Sequence, residues 1–271
     1  MSRKLLVILL IAVISGSFTH AAGQDAPLPD SYLAKLDSIP DICQVPPRAG
    51  MLPENGSQYC APTSVANVLV WLDNNGFPNM VPDADGWTHY NLIAHLGKPS
   101  FMRVGEKGTG PLATMTGLEK YCRERGYEVL IEWQGWRNGG KYAVASNLDP
   151  RWLFEGVVGS SNVVLNIGWY RHHPATDTYE RIAGHWVTMV GYDAASESGP
   201  HIVVHDPSLR TGRDLRNDYY RLMPIRTGNF AKWHKYEAGP ASGWLMLEGI
   251  RLKRGADCAV LDGAFRFRII E

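Results

Sequence analysis

The stretch GSQYCAPTSVANVLVWLD, residues 56 to 73, predicts a helix that begins at a cysteine. Pro62 fits the first turn of a helix, because the main-chain N–H that it lacks would have no partner there. The apolar residues that follow recur at helical spacing until Gly76; they are Val65, Val68, Leu69 and Leu72. Unpaired N–H groups and the positive end of the helix dipole would favour a thiolate at Cys60. The same position also suits a half-cystine or a small capping residue, so the stretch leaves three roles open.

A second stretch, GHWVTMVGYDAASESGPHIVVHDPS at residues 184 to 208, predicts a β-hairpin. A polar, glycine-containing loop joins its two strands, which are 185–192 and 199–206. In the expected register Tyr192 lies opposite Gly199. His185 then falls opposite Asp206, whose carboxylate would hold one imidazole nitrogen and aim the other outward. The pairing depends on this register, because a slip of one residue would send the two side chains to opposite faces.

A cysteine at a helix start and a histidine oriented by an acid make the arrangement of a thiol acyl-transfer enzyme. Cys60 would attack a carbonyl, and the imidazolium of His185 would protonate the leaving group. The tetrahedral oxyanion also needs hydrogen-bond donors, of which the Cys60 N–H is one. Gln58 or Asn55 would supply a side-chain amide as another. We favour Gln58, because alternate residues of an extended segment share a face.

With these motifs the chain resembles the papain-like cysteine peptidases, and most of all the bacteriocin-processing (double-glycine leader) peptidases and their secreted relatives. The resemblance is carried by NGSQYCAPTSVANVLVWL, GHWVTMVGYD and VVHDPS. It implies an α+β, papain-like fold, with an N-terminal helical half that carries the nucleophile and a C-terminal antiparallel β half that carries the histidine and the acid. It also implies that Cys60 is the nucleophile, His185 the general base and acid, and Asp206 the residue that orients the histidine.

Two positions depart from the family pattern. The family commonly has its oxyanion glutamine about six residues before the cysteine. This chain has Glu54 there, and an ionised carboxylate cannot donate a hydrogen bond. Relatives often have glycine where this chain has Ala61. The bacteriocin-processing members are generally fused to a membrane transporter, and this sequence shows neither its spans nor its nucleotide-binding segment, so a dedicated leader-peptidase role does not carry over.

Four cysteines permit two disulfides in an oxidising compartment. Cys122 lies on the apolar stripe of a predicted helix, so we expect a buried thiol there. A bridge between Cys43 and Cys258 is one candidate pairing, and it would close a very long loop. A bridge between Cys43 and Cys60 is the structural alternative. It predicts that the helix start carries no free thiol.

The N-terminus predicts a secretory signal peptide over 1–23, with basic residues before a short apolar stretch. The mature chain is expected to begin near Gln24. Residues 24–53 would act either as an inhibitory pro-segment or as a segment packed across the surface, and residues 54–271 form the peptidase-like domain. No later segment approaches the roughly 20 apolar residues of a bilayer span. We therefore expect a secreted or periplasmic protein without stable membrane insertion.

The composition of the chain limits the classes of molecule that it is expected to bind. The formal net charge is +0 and hydrophobic residues make up 45% of the chain, which argues against disorder and against nucleic-acid binding. Adjacent His172 and His173 are typical of an exposed turn, and no histidine or cysteine spacing supports a metal site, so we expect no cofactor. The expected partner is a peptide or protein substrate.

The rest of the chain predicts helices first and strands later. One predicted helix contains Cys122, and a short predicted helix has His89 and His95 at its edges. The predicted strands are YEVLIEW, SNVVLNIGWY, WLMLEGIRL and GAFRFRII. Trp186 should point away from His185 on its strand and into the core.

The sequence therefore predicts an exported thiol hydrolase that cleaves peptide (amide) bonds through a Cys–His–Asp triad and a thioacyl intermediate. A cell-wall amidase or transpeptidase would use the same triad. A catalytically inactive exported binding domain on the same fold would explain Glu54 at the usual glutamine position. The reactivity of Cys60 separates the enzymes from the binding domain.

Overall fold

The computed structural model describes residues 27–82, 87–208 and 218–270, which form a mixed α+β fold. The α+β class predicted from the sequence is thereby confirmed. The predicted signal peptide, 1–23, and the expected start of the mature chain near Gln24 lie outside the described residues.

The first helix, α1, spans Cys60–Asn74 and begins at the cysteine, as predicted. Its apolar side chains are buried because helices cover one side of α1 and the sheet covers the other. The helices that follow are α2 (His89–Gly97), α3 (Pro111–Glu124) and α4 (Pro150–Val158). The predicted helices around Cys122 and between His89 and His95 correspond to α3 and α2. Within the described ranges, every helix is too short or too polar to cross a membrane.

Helix α4 contradicts the prediction that helices come first and strands later, because it lies between strands in chain order. Asp149 caps its start, and the carboxylate accepts a hydrogen bond from the Arg151 N–H at 2.9 Å. Pro150 occupies the first helical position. Aspartate followed by proline is a recognised start signal, so this helix was within reach of sequence reasoning.

In the described part of the chain the strands form one mostly antiparallel sheet. They are β1 (Ser31–Tyr32), β2 (Glu128–Gly135), β3 (Ala143–Ala145), β4 (Asn162–His173), β5 (Thr178–Asp193), β6 (His201–His205), β7 (Asp218–Pro224), β8 (Asn229–Phe230), β9 (Gly239–Pro240), β10 (Leu245–Glu248) and β11 (Cys258–Ile270). The long strand β4 pairs with both β5 and β11, which makes these three the centre of the sheet. The four predicted strand segments correspond to β2, β4, β10 and β11.

The sheet separates two apolar layers. On one face α1, α2 and α3 pack against Trp186 and Phe265. On the other face α4 packs into a layer that contains Val187 and Val260. Trp186 and Val187 are neighbours on β5, so the strand is buried on both of its faces. Trp186 is 2% exposed, and its prediction as a core residue is confirmed.

The described part of the N-terminal segment packs into the fold. Strand β1 pairs with β5, and Tyr32 lies opposite Tyr192. Ile39 and Leu52 are buried. The Gln44 N–H donates to the carbonyl oxygen of Pro207 at 2.8 Å, directly after β6. Removing this segment would therefore uncover apolar side chains and release the end of β6.

All four cysteines are free. The candidate bridge between Cys43 and Cys258 is therefore wrong, because Cys43 lies beside the end of β6 while Cys258 begins β11 beside β4. The alternative bridge to Cys60 is absent as well. Cys122 is fully buried on α3, as predicted, and burial raises the pKa of its thiol to about 12.

Candidate active site

A tight turn before α1 presents Cys60 at the helix start. Glu54 and Asn55 adopt left-handed backbone conformations with φ of 47° and 52°, and Gly56 follows with φ of 79°. A Cβ atom on Gly56 would collide with the carbonyl oxygen of Gln44, so the turn requires glycine there. Cys60 is the first residue of α1, where main-chain N–H groups have no carbonyl one turn earlier to bind.

His185 lies on β5, and the structure brings it together with Asp206. The His185 Nε2–H donates to Asp206 Oδ1 at 2.7 Å, and Ser208 Oγ lies 3.1 Å from the same nitrogen. Asp206 also accepts a hydrogen bond from the Ser208 N–H at 2.8 Å. Because Nε2 serves the acid, Nδ1 is the nitrogen that can exchange a proton with Cys60.

The hairpin register differs from the predicted one. Tyr192 lies opposite Ile202, and a bulge shifts the pairing between β5 and β6 further along. Continuing that pairing one step past its last pair places Asp206 opposite Val187 rather than opposite His185. The acid still reaches the imidazole, because His185 and Val187 share a face of β5 and Asp206 is therefore a diagonal neighbour. The predicted pair is present although the predicted register was wrong.

The ion pair sets the charge of His185. Burial alone would lower the pKa of His185, but the Asp206 charge and hydrogen bonds to Asp206 and Cys60 raise it to about 10. Burial would likewise raise the pKa of Asp206, but the His185 charge and hydrogen bonds from His185 and Ser208 hold it below its ordinary value. At neutral pH the pair is an imidazolium and a carboxylate. A protonated imidazole beside Cys60 is a proton donor already in place.

Cys60, His185 and Asp206 open into one cleft of about 770 Å³. Residues that precede α1, including Gln58, line this cleft. The loop 251–254 lines it as well. A substrate carbonyl in the cleft would have access to the sulfur and the imidazole together.

Two residues of β4 hold the ring and the main chain of His185 in position. The ring of Trp169 stacks on the imidazole of His185, with 6.1 Å between ring centroids and 20° between the planes. Asn166 Nδ2 donates to the His185 carbonyl oxygen at 3.2 Å. Sequence reasoning missed both residues, since they belong to an apolar strand without a motif. Only the pairing of β4 with β5 brings them to the site.

Ser208 was also missed, although the sequence carries a signal for it. In the order Asp206-Pro207-Ser208, the aspartate accepts the N–H two residues later, which is a common use of aspartate in turns. That turn places the serine hydroxyl beside His185 Nε2.

The two candidate oxyanion donors occupy different places. Gln58 lines the cleft together with Cys60. Asn55 is exposed in the turn and is not a lining residue of the cleft. Glu54 is exposed too, and its carboxylate accepts a hydrogen bond from Ser57 Oγ at 3.2 Å. The geometry therefore favours Gln58 over Asn55.

A second glutamine, Gln44, also lines the cleft, and sequence reasoning did not single it out. Its Nε2 donates to the carbonyl oxygens of Gly56 and Ser57 at 2.9 Å and 3.1 Å. These two bonds use both amide protons. Gln44 therefore braces the turn that leads to Cys60.

Within the described ranges, no group of three or more His, Cys, Asp or Glu side chains is arranged to hold a metal ion.

The prediction that His172 and His173 are turn residues is wrong, because both belong to strand β4, which ends at His173. His172 Nε2 lies 2.9 Å from Asp177, and His173 Nε2 lies 3.1 Å from Glu180.

A second acid, Asp262, lies behind the cleft. It accepts hydrogen bonds from Arg181 Nε at 2.6 Å, Tyr170 OH at 2.6 Å and Trp136 Nε1 at 3.0 Å. Arg181 and Asp262 are both buried. A Cβ atom on Gly184, which lines the cleft, would collide with the Arg181 guanidinium. The glycine therefore lets this buried pair approach the cleft wall.

No protein-family model matches the chain, and no curated protein matches it. The family resemblance carried by the sequence motifs therefore stays a prediction. The function has to be argued from the residues of the cleft.

Proposed function

We propose that the protein is a thiol hydrolase that cleaves peptide bonds, with Cys60 as the nucleophile, His185 as general acid and base, and Asp206 as the residue that orients the histidine. The observation that carries this proposal is the 2.7 Å bond between His185 and Asp206 in a cleft shared with a cysteine at a helix start. A cysteine nucleophile, a base and a group that orients the base are the three parts of this chemistry.

In the proposed reaction the Cys60 thiolate adds to the carbonyl carbon of the scissile amide, and the carbonyl π electrons move to oxygen. The tetrahedral intermediate then collapses and the C–N bond breaks. His185 Nδ1–H gives its proton to the leaving nitrogen, which leaves a thioester on Cys60. His185 next takes a proton from water as the water oxygen attacks the thioester. The acid product departs, and the thiolate and imidazolium are restored.

The oxyanion would be stabilised by the Cys60 N–H at the start of α1 and by the side-chain amide of Gln58. The position of Gln58 on the cleft supports this role. Glu54, at the position where relatives have glutamine, is exposed in the turn and takes no part in the proposed mechanism.

The placement of the three residues supports a papain-like arrangement. The cysteine begins the first long helix, and the histidine and the acid come from adjacent antiparallel strands or their ends. Ala61, where relatives often have glycine, is fully buried, so its methyl group packs into the protein and does not narrow the cleft. We further propose that the enzyme acts outside the cytoplasm, since the sequence predicts a signal peptide.

The test is a digestion experiment with the mature protein. Wild type and the Cys60→Ala variant are incubated with a mixture of unfolded proteins, and new termini are identified by mass spectrometry. Wild type is expected to cut and Cys60→Ala to be inactive. Cys122→Ala is the matched control and should cut like wild type, because that thiol is buried away from the cleft. Cleavage that persists in Cys60→Ala would show that Cys60 is not the nucleophile. An unreactive Cys60 in a protein that cuts nothing would support the non-catalytic binding domain instead.

A further inference from the structure

A short basic loop, residues 251–254, lines the cleft that holds Cys60 and His185. This basic loop lies between β10 and β11. Its four residues all line the cleft and all are exposed; they are Arg251, Leu252, Lys253 and Arg254. The cations of the loop therefore face the same solvent-filled space as the candidate nucleophile.

Hydrogen bonds to β4 fix the chain that leaves the basic loop. The Asp257 N–H donates to the carbonyl oxygen of Tyr170 at 3.0 Å. The Arg171 guanidinium donates to the carbonyl oxygen of Gly255 at 3.2 Å. Strand β4 also carries Trp169, which stacks on His185. One strand therefore positions both the imidazole and the end of the basic loop.

The cations of the basic loop form no ion pair with any of the residues in 27–82, 87–208 and 218–270. Among the described residues, two carboxylates line the same cleft, namely Asp206 and Asp218. Asp206 is paired with His185 at 2.7 Å. Even when Asp218 is counted against the loop, the described lining residues carry an excess of positive charge. An exposed excess of one sign in a cleft attracts ligands of the opposite sign.

The proposed chemistry indicates which part of a substrate meets these cations. The scissile carbonyl carbon must lie at Cys60, and the leaving nitrogen must lie at His185 because His185 gives it a proton. Trp169 stacks on His185, and its neighbour Tyr170 binds the chain that leaves the basic loop, so the loop lies on the His185 side of the cleft. The substrate chain after the scissile bond would therefore continue past His185 towards the basic loop.

Building on the proposed function, we infer that the basic loop selects substrates with carboxylates on the C-terminal side of the scissile bond. These are Asp or Glu side chains, or the C-terminal carboxylate of the peptide itself. Guanidinium groups bind carboxylates through paired, parallel hydrogen bonds. One exposed pair changes affinity by up to about fivefold, so two or three contacts should separate acidic from basic peptides by roughly tenfold to a hundredfold.

The test compares peptides that differ only after the scissile bond. They carry Glu, Gln or Lys there, each with a free or an amidated C-terminus, and kcat/KM is measured for each. Wild type should prefer Glu over Gln over Lys. The preference should shrink when salt rises from about 50 mM to about 500 mM, since exposed charges are screened. The free and amidated peptides show whether the side chain or the terminal carboxylate is the group recognised. Equal kcat/KM values for Glu and Lys peptides would overturn the inference.

A matched pair of variants assigns the preference to the loop. Arg251→Glu with Arg254→Glu should abolish or reverse the preference. Arg226→Glu with Arg268→Glu makes the same change in net charge at exposed positions outside the cleft lining, and should keep the wild-type preference. A similar change of preference in both double variants would show that the overall charge of the protein, and not the basic loop, sets the substrate preference.

Binding to the Cys60→Ala protein separates failure of this inference from failure of the proposed function. Fluorescence anisotropy with the same peptides measures the charge preference without hydrolysis. Tighter binding of Glu peptides, with no cleavage by wild type, would retain the basic loop as a carboxylate site and reject the hydrolase. Cleavage by wild type without any charge preference in binding or kcat/KM would reject the loop and retain the hydrolase.

Discussion

Two carboxylates of the β half each bind one cation, and the two pairs differ in what surrounds them. Asp262 lies 2.6 Å from Arg181, and the two side chains are 0% and 3% exposed. Asp206 lies 2.7 Å from His185, and the two side chains are 12% and 10% exposed. The first pair is sealed behind the cleft, while the second opens into it.

The cation is the second difference. Arginine keeps its proton over the whole range in which proteins are folded, so Arg181 stabilises but does not transfer protons. Histidine can give and take a proton, and His185 lies beside a cysteine. A short contact between acid and cation therefore does not make a reactive site. Two properties distinguish the pair of Asp206 and His185. The pair opens into the cleft, and His185 can give and take a proton.

The largest effect is expected at the sealed pair. Asp262→Asn would leave the Arg181 charge buried without its counter-ion, and breaking a buried pair from one side costs about 3–5 kcal/mol of unfolding free energy. Urea unfolding followed by tryptophan fluorescence measures this loss. Asp206→Asn is the matched control and should lose clearly less, because its pair meets solvent. Equal losses in the two variants would contradict the distinction between a sealed and an open pair.

At the open pair, Asp206→Asn is expected to change mainly the reactivity of Cys60. Without the Asp206 carboxylate, burial would lower the pKa of His185, so the imidazole would be neutral near neutral pH. The Cys60 thiolate would then lose its counter-charge, and its alkylation should slow by about tenfold or more. Rates are measured with iodoacetamide, and the folded Asp262→Asn protein should keep the wild-type rate. An unchanged rate in Asp206→Asn would show that the acid does not govern the cysteine.

The stability that the open pair contributes should depend on pH at both ends. The pKa of His185 is about 10, above its ordinary 6.5, so its contribution is complete below about pH 6.5 and is lost as pH rises through about 10. The pKa of Asp206 is below its ordinary 3.8, so its contribution is complete above that value and is lost as pH falls through the folded-state pKa.

The difference in unfolding free energy between wild type and Asp206→Asn should therefore be largest between about pH 4 and about pH 6.5, where we expect about 1–3 kcal/mol. Urea unfolding at a series of pH values provides the measurement. A difference that stays constant up to alkaline pH would mean that the two groups do not stabilise each other's charged forms.

The smallest effect is expected at Ser208. Ser208→Ala removes the hydroxyl that lies 3.1 Å from His185 Nε2 but keeps the main-chain bond to Asp206. One such hydrogen bond contributes about 1 kcal/mol, so peptide cleavage should fall by about fivefold. Ser208→Thr keeps a hydroxyl and should recover most of the rate. A fall as large as that of His185→Ala would place Ser208 among the residues that transfer the proton.

Much of the site could be predicted from the sequence, because its parts lie in two local motifs. The start of α1 at Cys60 follows from a proline and an apolar helical repeat. The meeting of His185 and Asp206 follows from a hairpin, in which neighbouring strands bring distant residues together. The predicted register was nevertheless wrong, because the loop is longer than predicted and Tyr192 lies opposite Ile202 instead of Gly199. A bulge at Val190 then shifts the pairing by one residue, which alternation alone does not reveal.

The rest depends on contacts between segments far apart in the chain. Arg181 and Asp262 meet only because β4 lies between β5 and β11. Gln44 reaches the turn before Cys60 because the N-terminal segment packs beside β6. The incorrect bridge between Cys43 and Cys258 has the same cause, since cysteine spacing does not fix distances in the folded chain. Contacts between such distant segments can be predicted only when the whole fold is known.

The most direct test of whether Cys60 and His185 form a reactive pair is the alkylation rate of each cysteine in the unreduced mature protein as a function of pH, in wild type and in His185→Ala. We expect fast labelling of Cys60 at neutral and lower pH, and no labelling of the buried Cys122 in the same sample. The His185→Ala variant should lose the labelling of Cys60 at low pH. A Cys60 that reacts no faster than Cys43, or whose rate is the same without His185, would contradict the claim that these two residues form a reactive pair.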